Sequence, residues 1–91
     1  MESRRPTQTR NIMQIALIIL KSGIELITMA EQMDEEPSCH MQDPYLVKED
    51  GTLEPWPRYT VDTDILLYSE TIATIVTPTA ELKKKYELVT K

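Results

Sequence analysis

Phenylalanine is absent from this chain of 91 residues, and cysteine, histidine and tryptophan each occur once. A single cysteine excludes an intrachain disulfide and is compatible with a reducing compartment, so we expect a cytoplasmic protein. Only two glycines occur, Gly23 and Gly51. A glycine-rich loop of the kind that cradles phosphate groups is therefore excluded.

Positive charge is also scarce, because ten Lys and Arg residues face fifteen Asp and Glu residues, for a net charge of −5. A nucleic-acid binder needs clustered cations to neutralise phosphates, so nucleic acid is an unlikely partner. The longest unbroken apolar run, Ile15 to Leu20, is too short to cross a bilayer, and Lys21 and Glu25 follow it. We therefore expect one small domain over residues 1–91 that does not enter a membrane.

The stretch from Asn11 to Met33 is apolar almost all the way round, apart from Lys21 and Glu25 in its middle. These two residues are spaced i,i+4 and would pair on one narrow polar stripe of a helix. We predict a single long helix at residues 11–34, preceded by an N-terminal tail at residues 1–10.

Such a helix would present two or three apolar stripes, more than a small domain can cover. We therefore predict a homo-oligomer with this helix at the interface. The alternative is a central helix wrapped by the protein's own sheet. The predicted interface residues lie three or four positions apart, and they are Ile12, Ile15, Ile19, Gly23, Leu26, Met29 and Met33.

Residues 45–76 are predicted to form a small antiparallel sheet. Asp50-Gly51 is typical of a hairpin turn, and it lies between the alternating segments Tyr45 to Lys48 and Thr52 to Glu54. Prolines at positions 55 and 57 end the second arm, since proline cannot donate to a ladder.

The segment that follows, residues 64–76, is rich in leucine and β-branched residues. It favours two strands, Ile65 to Ser69 and Thr71 to Val76, although one bent strand or a helix are alternatives. Beyond it, a C-terminal helix is predicted at residues 78–90, with Thr77 as its N-cap. The fold class expected from the whole chain is α+β, with a long N-terminal helix, a small sheet and a short C-terminal helix.

Few residues suggest chemistry. Cys39, His40 and Asp43 are metal-ligand types, but a structural zinc site needs four ligands and the chain has no second Cys or His. Asp62 and Asp64 are more typical of a polar turn before a strand than of a cation site. We predict no metal, no cofactor and no catalysis.

The strongest binding feature is the sequence EPWPRY, which brings Trp56, Arg58 and Tyr59 together between two prolines. These residue types are enriched in interface hot spots. The alternative is that Trp56 plugs the end of the core while Arg58 pairs with an acidic neighbour. We expect a small acidic adaptor or inhibitor that binds another protein. The other candidate is a protein that sequesters a nucleotide-like ligand in pockets between subunits, using the same three residues.

Overall fold

The computed structural model describes residues 13–90, which form a mostly antiparallel β protein with a C-terminal helix. The strands are β1 (Gln14–Leu20), β2 (Glu25–Gln32), β3 (Cys39–Val47), β4 (Leu53–Pro55), β5 (Asp64–Leu67) and β6 (Ile72–Val76). The helix, α1, is Ala80–Val89, and a single 3-10 turn, Ser69–Thr71, joins β5 to β6.

The predicted long N-terminal helix is wrong, and the α+β class with it. Its described residues form an antiparallel hairpin, β1 and β2, that turns at Gly23, whose φ is +98°. The Leu20 N–H donates to the Ile24 carbonyl at 2.8 Å across this turn. A period of two accounts for the apolar pattern of β1, where alternate residues are buried. In β2 the consecutive residues Leu26, Ile27 and Thr28 are all buried, so both faces of that strand are covered. The predicted tail at residues 1–10 lies outside the described residues.

The sheet is a meander of β1, β2 and β3 that is extended at both edges. β6 pairs with the free side of β1, and β4 and β5 lie one after the other along the free side of β3. Only four residues separate the end of β5 from the start of β6. The two edges must therefore approach each other, so the sheet curls strongly.

The core lies inside this curl and is built from one face of β1, β2, β3, β5 and β6. Fully or nearly fully buried side chains come from β1, β2, β3 and β5, with partly buried contributions from β6 and from Trp56. The buried members are Ala16, Ile18, Leu20, Leu26, Ala30, Cys39, Met41 and Leu67. The absent phenylalanine is thus replaced mainly by aliphatic side chains.

The helix packs on the outer face of the sheet through Tyr86, which is 1% exposed. The regular pairing of β2 with β3 is interrupted between Ile27 and Met29. At this irregularity the Met29 N–H donates to the Tyr86 hydroxyl at 3.0 Å. The same hydroxyl lies 3.0 Å from the carbonyl oxygens of Gln42 and Asp43 and shares its one proton between them. The Gln42 carbonyl also accepts from the Thr28 hydroxyl at 2.8 Å. Tyr86 therefore satisfies backbone groups that the sheet leaves without ladder partners.

The predictions for the second half of the chain fare better. The hairpin around Asp50-Gly51 is confirmed, since Val47 pairs with Leu53 and Tyr45 with Pro55. Residues 64–76 form two strands, as favoured. The C-terminal helix is confirmed but starts later, with Thr79 as N-cap accepting from the Leu82 N–H at 3.2 Å. None of the helical segments among residues 13–90 has the length and apolar character needed to cross a bilayer.

Candidate functional site

The sequence EPWPRY, residues 54–59, covers the end of β4 and the start of a surface loop at residues 56–63, which we call the 56–63 loop. It connects β4 to β5, and both strands pair with β3. The two ends of the loop are therefore fixed to the same strand of the sheet. A loop held in this way has fewer conformations to lose when it binds.

Trp56 anchors the first end of the loop. Its side chain is half-buried and packs against the core. The backbone N–H of Trp56 donates to the Pro44 carbonyl at 3.1 Å. At the other end, the Asp43 N–H donates to the Thr63 carbonyl at 2.7 Å. Asp43 adopts a left-handed conformation with φ of +53° at this point. Trp56 thus packs against the core, as the alternative interpretation expected, while part of its side chain stays exposed.

Arg58 is held by an acidic neighbour, as the same interpretation required. Its Nε donates to Glu54 Oε2 at 2.8 Å, and Lys48 Nζ lies 3.5 Å from Glu54 Oε1. The hydrogen bond from Arg58, with help from Lys48, lowers the pKa of the Glu54 carboxyl. The Arg58 side chain is still 62% exposed, and hydrogen bonds with Glu54 and with the Tyr59 side chain raise the pKa of its guanidinium.

The tip of the loop carries two large apolar side chains in open solvent. Tyr59 is 94% exposed and Val61 is 96% exposed. Between them, Thr60 orders the backbone, because its hydroxyl accepts from the Asp62 N–H at 3.0 Å. Sequence reasoning found Tyr59 but missed Val61. The sequence signal for Val61 was that it is a single apolar residue in a polar segment, and that this segment is too short to form a strand.

The residues predicted to form a helical interface do not share a face. Ile15 and Ile19 are half-buried on β1, and Leu26 lies in the core at 0% exposure. Gly23 occupies the turn of the hairpin. Met29 is half-buried on β2, and Met33, which follows β2, is 40% exposed. Ile12 lies outside the described residues.

A polar cluster on the outer face of the sheet joins residues that are distant in sequence. The Nε2 atom of His40 lies 3.0 Å from Asp64 Oδ1, and its Nδ1 atom lies 3.8 Å from Glu31 Oε1. Strand pairing explains this, since β3 lies between β2 and β5. Local spacing could not reveal it, because Asp64 is 24 residues from His40.

Cys39 lies on the opposite face of β3 from His40. It is fully buried in the core, and burial raises the pKa of its thiol. Successive residues of a strand point to opposite faces, so these two neighbours cannot act together as nucleophile and base. Within residues 13–90, no set of three or more His, Cys, Asp or Glu side chains is placed to hold a metal ion.

Two cavities occur near the end of the sheet where β1 begins. One has a volume of about 530 Å³ and includes Gln14, Gln32, Asp34, Thr77 and Lys83 in its lining. The other, of about 590 Å³, lies beside α1. Neither of these two cavities includes a residue of the 56–63 loop in its described lining.

Comparison with known proteins gives a family but no function. A family model described as a family of unknown function, DUF6561, matches residues 13–91. That match covers most of the chain, including every strand and the helix. No protein among the curated ones compared with the chain matches it.

Proposed function

The chain belongs to the DUF6561 family, and we propose that it is a non-catalytic interaction module that binds another protein through the 56–63 loop. Such a module would serve as a small acidic adaptor or inhibitor. The observation that carries the proposal is the exposure of Tyr59 and Val61, at 94% and 96%, on a loop anchored at both ends. Two large apolar side chains in this position gain burial only when a partner covers them.

Anchoring supports binding because it reduces the entropy that is lost when a loop is ordered. Trp56 packs on the core at one end, and the hydrogen bond between Asp43 and Thr63 fixes the other. Residues between these anchors need to rearrange little on contact. Affinity gained from Tyr59 is therefore not offset by the cost of ordering a free segment.

Arg58 supplies the polar part of the proposed contact. Arg58 directly precedes Tyr59, and its ion pair with Glu54 orients the guanidinium. Most of the Arg58 side chain remains exposed. Arg and Tyr are among the residue types that dominate interface energetics. A partner with an exposed acceptor next to an apolar depression would match this pair. We place the encounter in the cytoplasm, since Cys39 is a buried free thiol.

Substitution of Tyr59 is the direct test, because Trp56→Ala would also remove core contacts. Truncating a hot-spot tyrosine costs at least about 2 kcal/mol of binding free energy, which is about 30-fold in Kd. Since Tyr59 is almost fully exposed in the free protein, Tyr59→Ala should change the free energy of unfolding by less than about 0.5 kcal/mol.

The experiment is co-purification from the source cells with tagged wild-type protein and with the double variant Tyr59→Ala, Val61→Ala. The matched control is Leu88→Ala, because Leu88 is a 70%-exposed apolar residue on α1, away from the loop in sequence. A stoichiometric protein partner should be retained by the wild type and by the control and lost by the loop variant. Equal retention by all three chains would refute the role of the loop.

Sequestration of a small ligand is the second proposal, and the cavity of about 530 Å³ favours it. Its volume is within the range of small-molecule sites, and Lys83 supplies a cation for an anionic group. A thermal shift with nucleotides tests this role. A rise in Tm that Lys83→Ala abolishes would support it, and no rise with any nucleotide would count against it.

A further inference from the structure

Strand β6 presents an open edge without the features that normally protect one. Among the described residues it pairs only with β1. Its five residues, IATIV, contain no charge, no proline and no glycine. Edge strands that stay unpaired in solution usually carry such residues, because a bare row of N–H and C=O groups recruits another strand.

Strand β4, at another edge of the same sheet, shows the contrast. It ends in Pro55 and carries Glu54, which forms ion pairs with Lys48 and Arg58. Charges and a proline at an edge oppose pairing with another chain. The charges and the proline protect the edge of β4 from pairing with another chain. The edge of β6 lacks them, so it is open to such pairing.

Strand β5 offers a second open edge. Within residues 13–90 it pairs only with β3. Leu66 faces outward at 53% exposure, and Tyr68, directly after the strand, is 54% exposed. Counting only residues 13–90, each copy of the chain therefore has two open edges, on β5 and on β6. Pairing of β6 with β6 of another copy would leave both β5 edges open, whereas pairing of β6 with β5 satisfies both kinds of edge.

We propose that the open edge of β6 pairs in antiparallel fashion with the open edge of β5 in a second copy of this chain. Every strand pair within the sheet is antiparallel. Outward side chains must lie opposite outward side chains across a ladder. The centred register that meets this condition places Thr74 opposite the partner's Leu66 and Val76 opposite the partner's Asp64.

Charge at the end of β6 fits this register. Val76 lines a cavity that Lys83 and Asp34 also line, so a cationic residue borders the cavity at the end of the strand. The partner's Asp64 arrives at that same end. The carboxylate of Asp64 is 58% exposed, and its Oδ2 atom remains available beside the contact between Oδ1 and His40. This self-association does not rest on the 56–63 loop, and it replaces the incorrect helical interface.

The experiment measures mass by light scattering and by sedimentation over a range of micromolar concentrations. Wild-type protein should exceed the 10.5 kDa of one chain. Thr74→Glu with Val76→Glu blocks β6, since one glutamate would face the partner's apolar Leu66 and the other would face the like charge of the partner's Asp64. Leu66→Glu blocks β5. Each blocked variant alone should have the mass of one chain.

Mixing the two blocked variants is the decisive step. The variant with blocked β6 retains an intact β5 edge, and the variant with blocked β5 retains an intact β6 edge. The mixture should therefore form a species with one copy of each chain. The matched control is Leu88→Glu, which changes an exposed leucine on α1 and should assemble like the wild type.

Three results would overturn the proposal: a wild-type protein with the mass of one chain throughout, a Leu66→Glu variant that keeps the wild-type mass, or a mixture that forms no two-chain species. Far-UV circular dichroism and a thermal melt establish that each variant is folded. If the double β6 variant does not fold, Thr74→Glu alone takes its place, because Thr74 is exposed and outside the core. Partner binding by the 56–63 loop can succeed or fail whatever the mass measurements give.

Discussion

Replacing Tyr86 with phenylalanine removes one oxygen atom and should destabilise the protein by about 2 kcal/mol. The hydroxyl accepts from the Met29 N–H and shares its one proton between the carbonyls of Gln42 and Asp43, each at 3.0 Å. Tyr86 is 1% exposed, so solvent does not replace these contacts. Leaving a buried donor without a partner costs about 1–3 kcal/mol. The ring itself is retained, so no large cavity adds to this cost.

Urea denaturation followed by far-UV circular dichroism measures the effect. With an m value of about 1 kcal/mol/M for a domain of this size, the midpoint should fall by about 2 M. The matched control is Tyr45→Phe, because the hydrogen bond of the Tyr45 hydroxyl to the Val89 carbonyl is long, at 3.4 Å, and exposed. Its midpoint should move by less than about 0.5 M. Equal midpoint shifts for the two variants would refute the role assigned to Tyr86.

The pH dependence supplies a second readout of the same site. Burial, the largest cause, raises the pKa of the Tyr86 phenol above its usual value of about 10. The folded state therefore holds this proton more tightly than the unfolded state. The stability from this shift is fully present below about pH 10 and is lost as the pH rises through the folded pKa. Tyr86→Phe should abolish that alkaline loss.

Three further predictions concern the turn of the first hairpin, a carboxylate at the surface and the buried thiol. Gly23→Ala should destabilise the protein by about 1 kcal/mol in a thermal melt, because φ of +98° disfavours a residue with a Cβ atom; an unchanged Tm would contradict the assigned turn. Hydrogen bonds from Ser69 lower the pKa of the Glu36 carboxyl, so the stability they give is lost as the pH falls through the folded pKa. Ser69→Ala should raise that pKa in an NMR titration, and no change would show that Ser69 does not hold Glu36. Cys39 should resist thiol reagents until the protein unfolds, because it is buried and its pKa is raised; rapid labelling of the native protein would refute its burial.

The second half of the chain was predictable because its signals are local. Asp50-Gly51 has the backbone freedom that a tight hairpin needs, and the β-branched residues of 72–76 favour a strand. The C-terminal helix was predictable from its own apolar spacing. Its N-cap was not, since Thr77 was predicted and Thr79 is observed. Such signals depend on neighbours in sequence and survive without knowledge of tertiary contacts.

The first half misled because its apolar residues satisfy two periods at once. Ile15 and Ile19 fit a helical seam, yet Ile18 and Leu20 also fit an alternating strand. Gly23 decides between them, since it marks a turn that a continuous helix lacks. The predicted oligomer interface depended on that helix, so it no longer has a structural basis.

The candidate site was predictable only in part. Arg58 and Tyr59 are visible in the sequence as interface residue types, and the acidic partner of Arg58 was anticipated. The anchoring of the loop could not be predicted, because it depends on the pairing of β4 and β5 with the same strand. Contacts between residues distant in sequence, such as His40 with Asp64, require the register of the sheet.

Hydrogen exchange on the stoichiometric complex that co-purifies with the chain tests the central claim most directly. Backbone amides of residues 58–62 should exchange more slowly in the complex than in the free protein, because a partner that covers Tyr59 and Val61 excludes solvent from them. Amides of the hairpin formed by β1 and β2 should exchange at the same rate in both. Unchanged exchange at residues 58–62, with protection elsewhere on the chain, would contradict the claim that the 56–63 loop is the binding site.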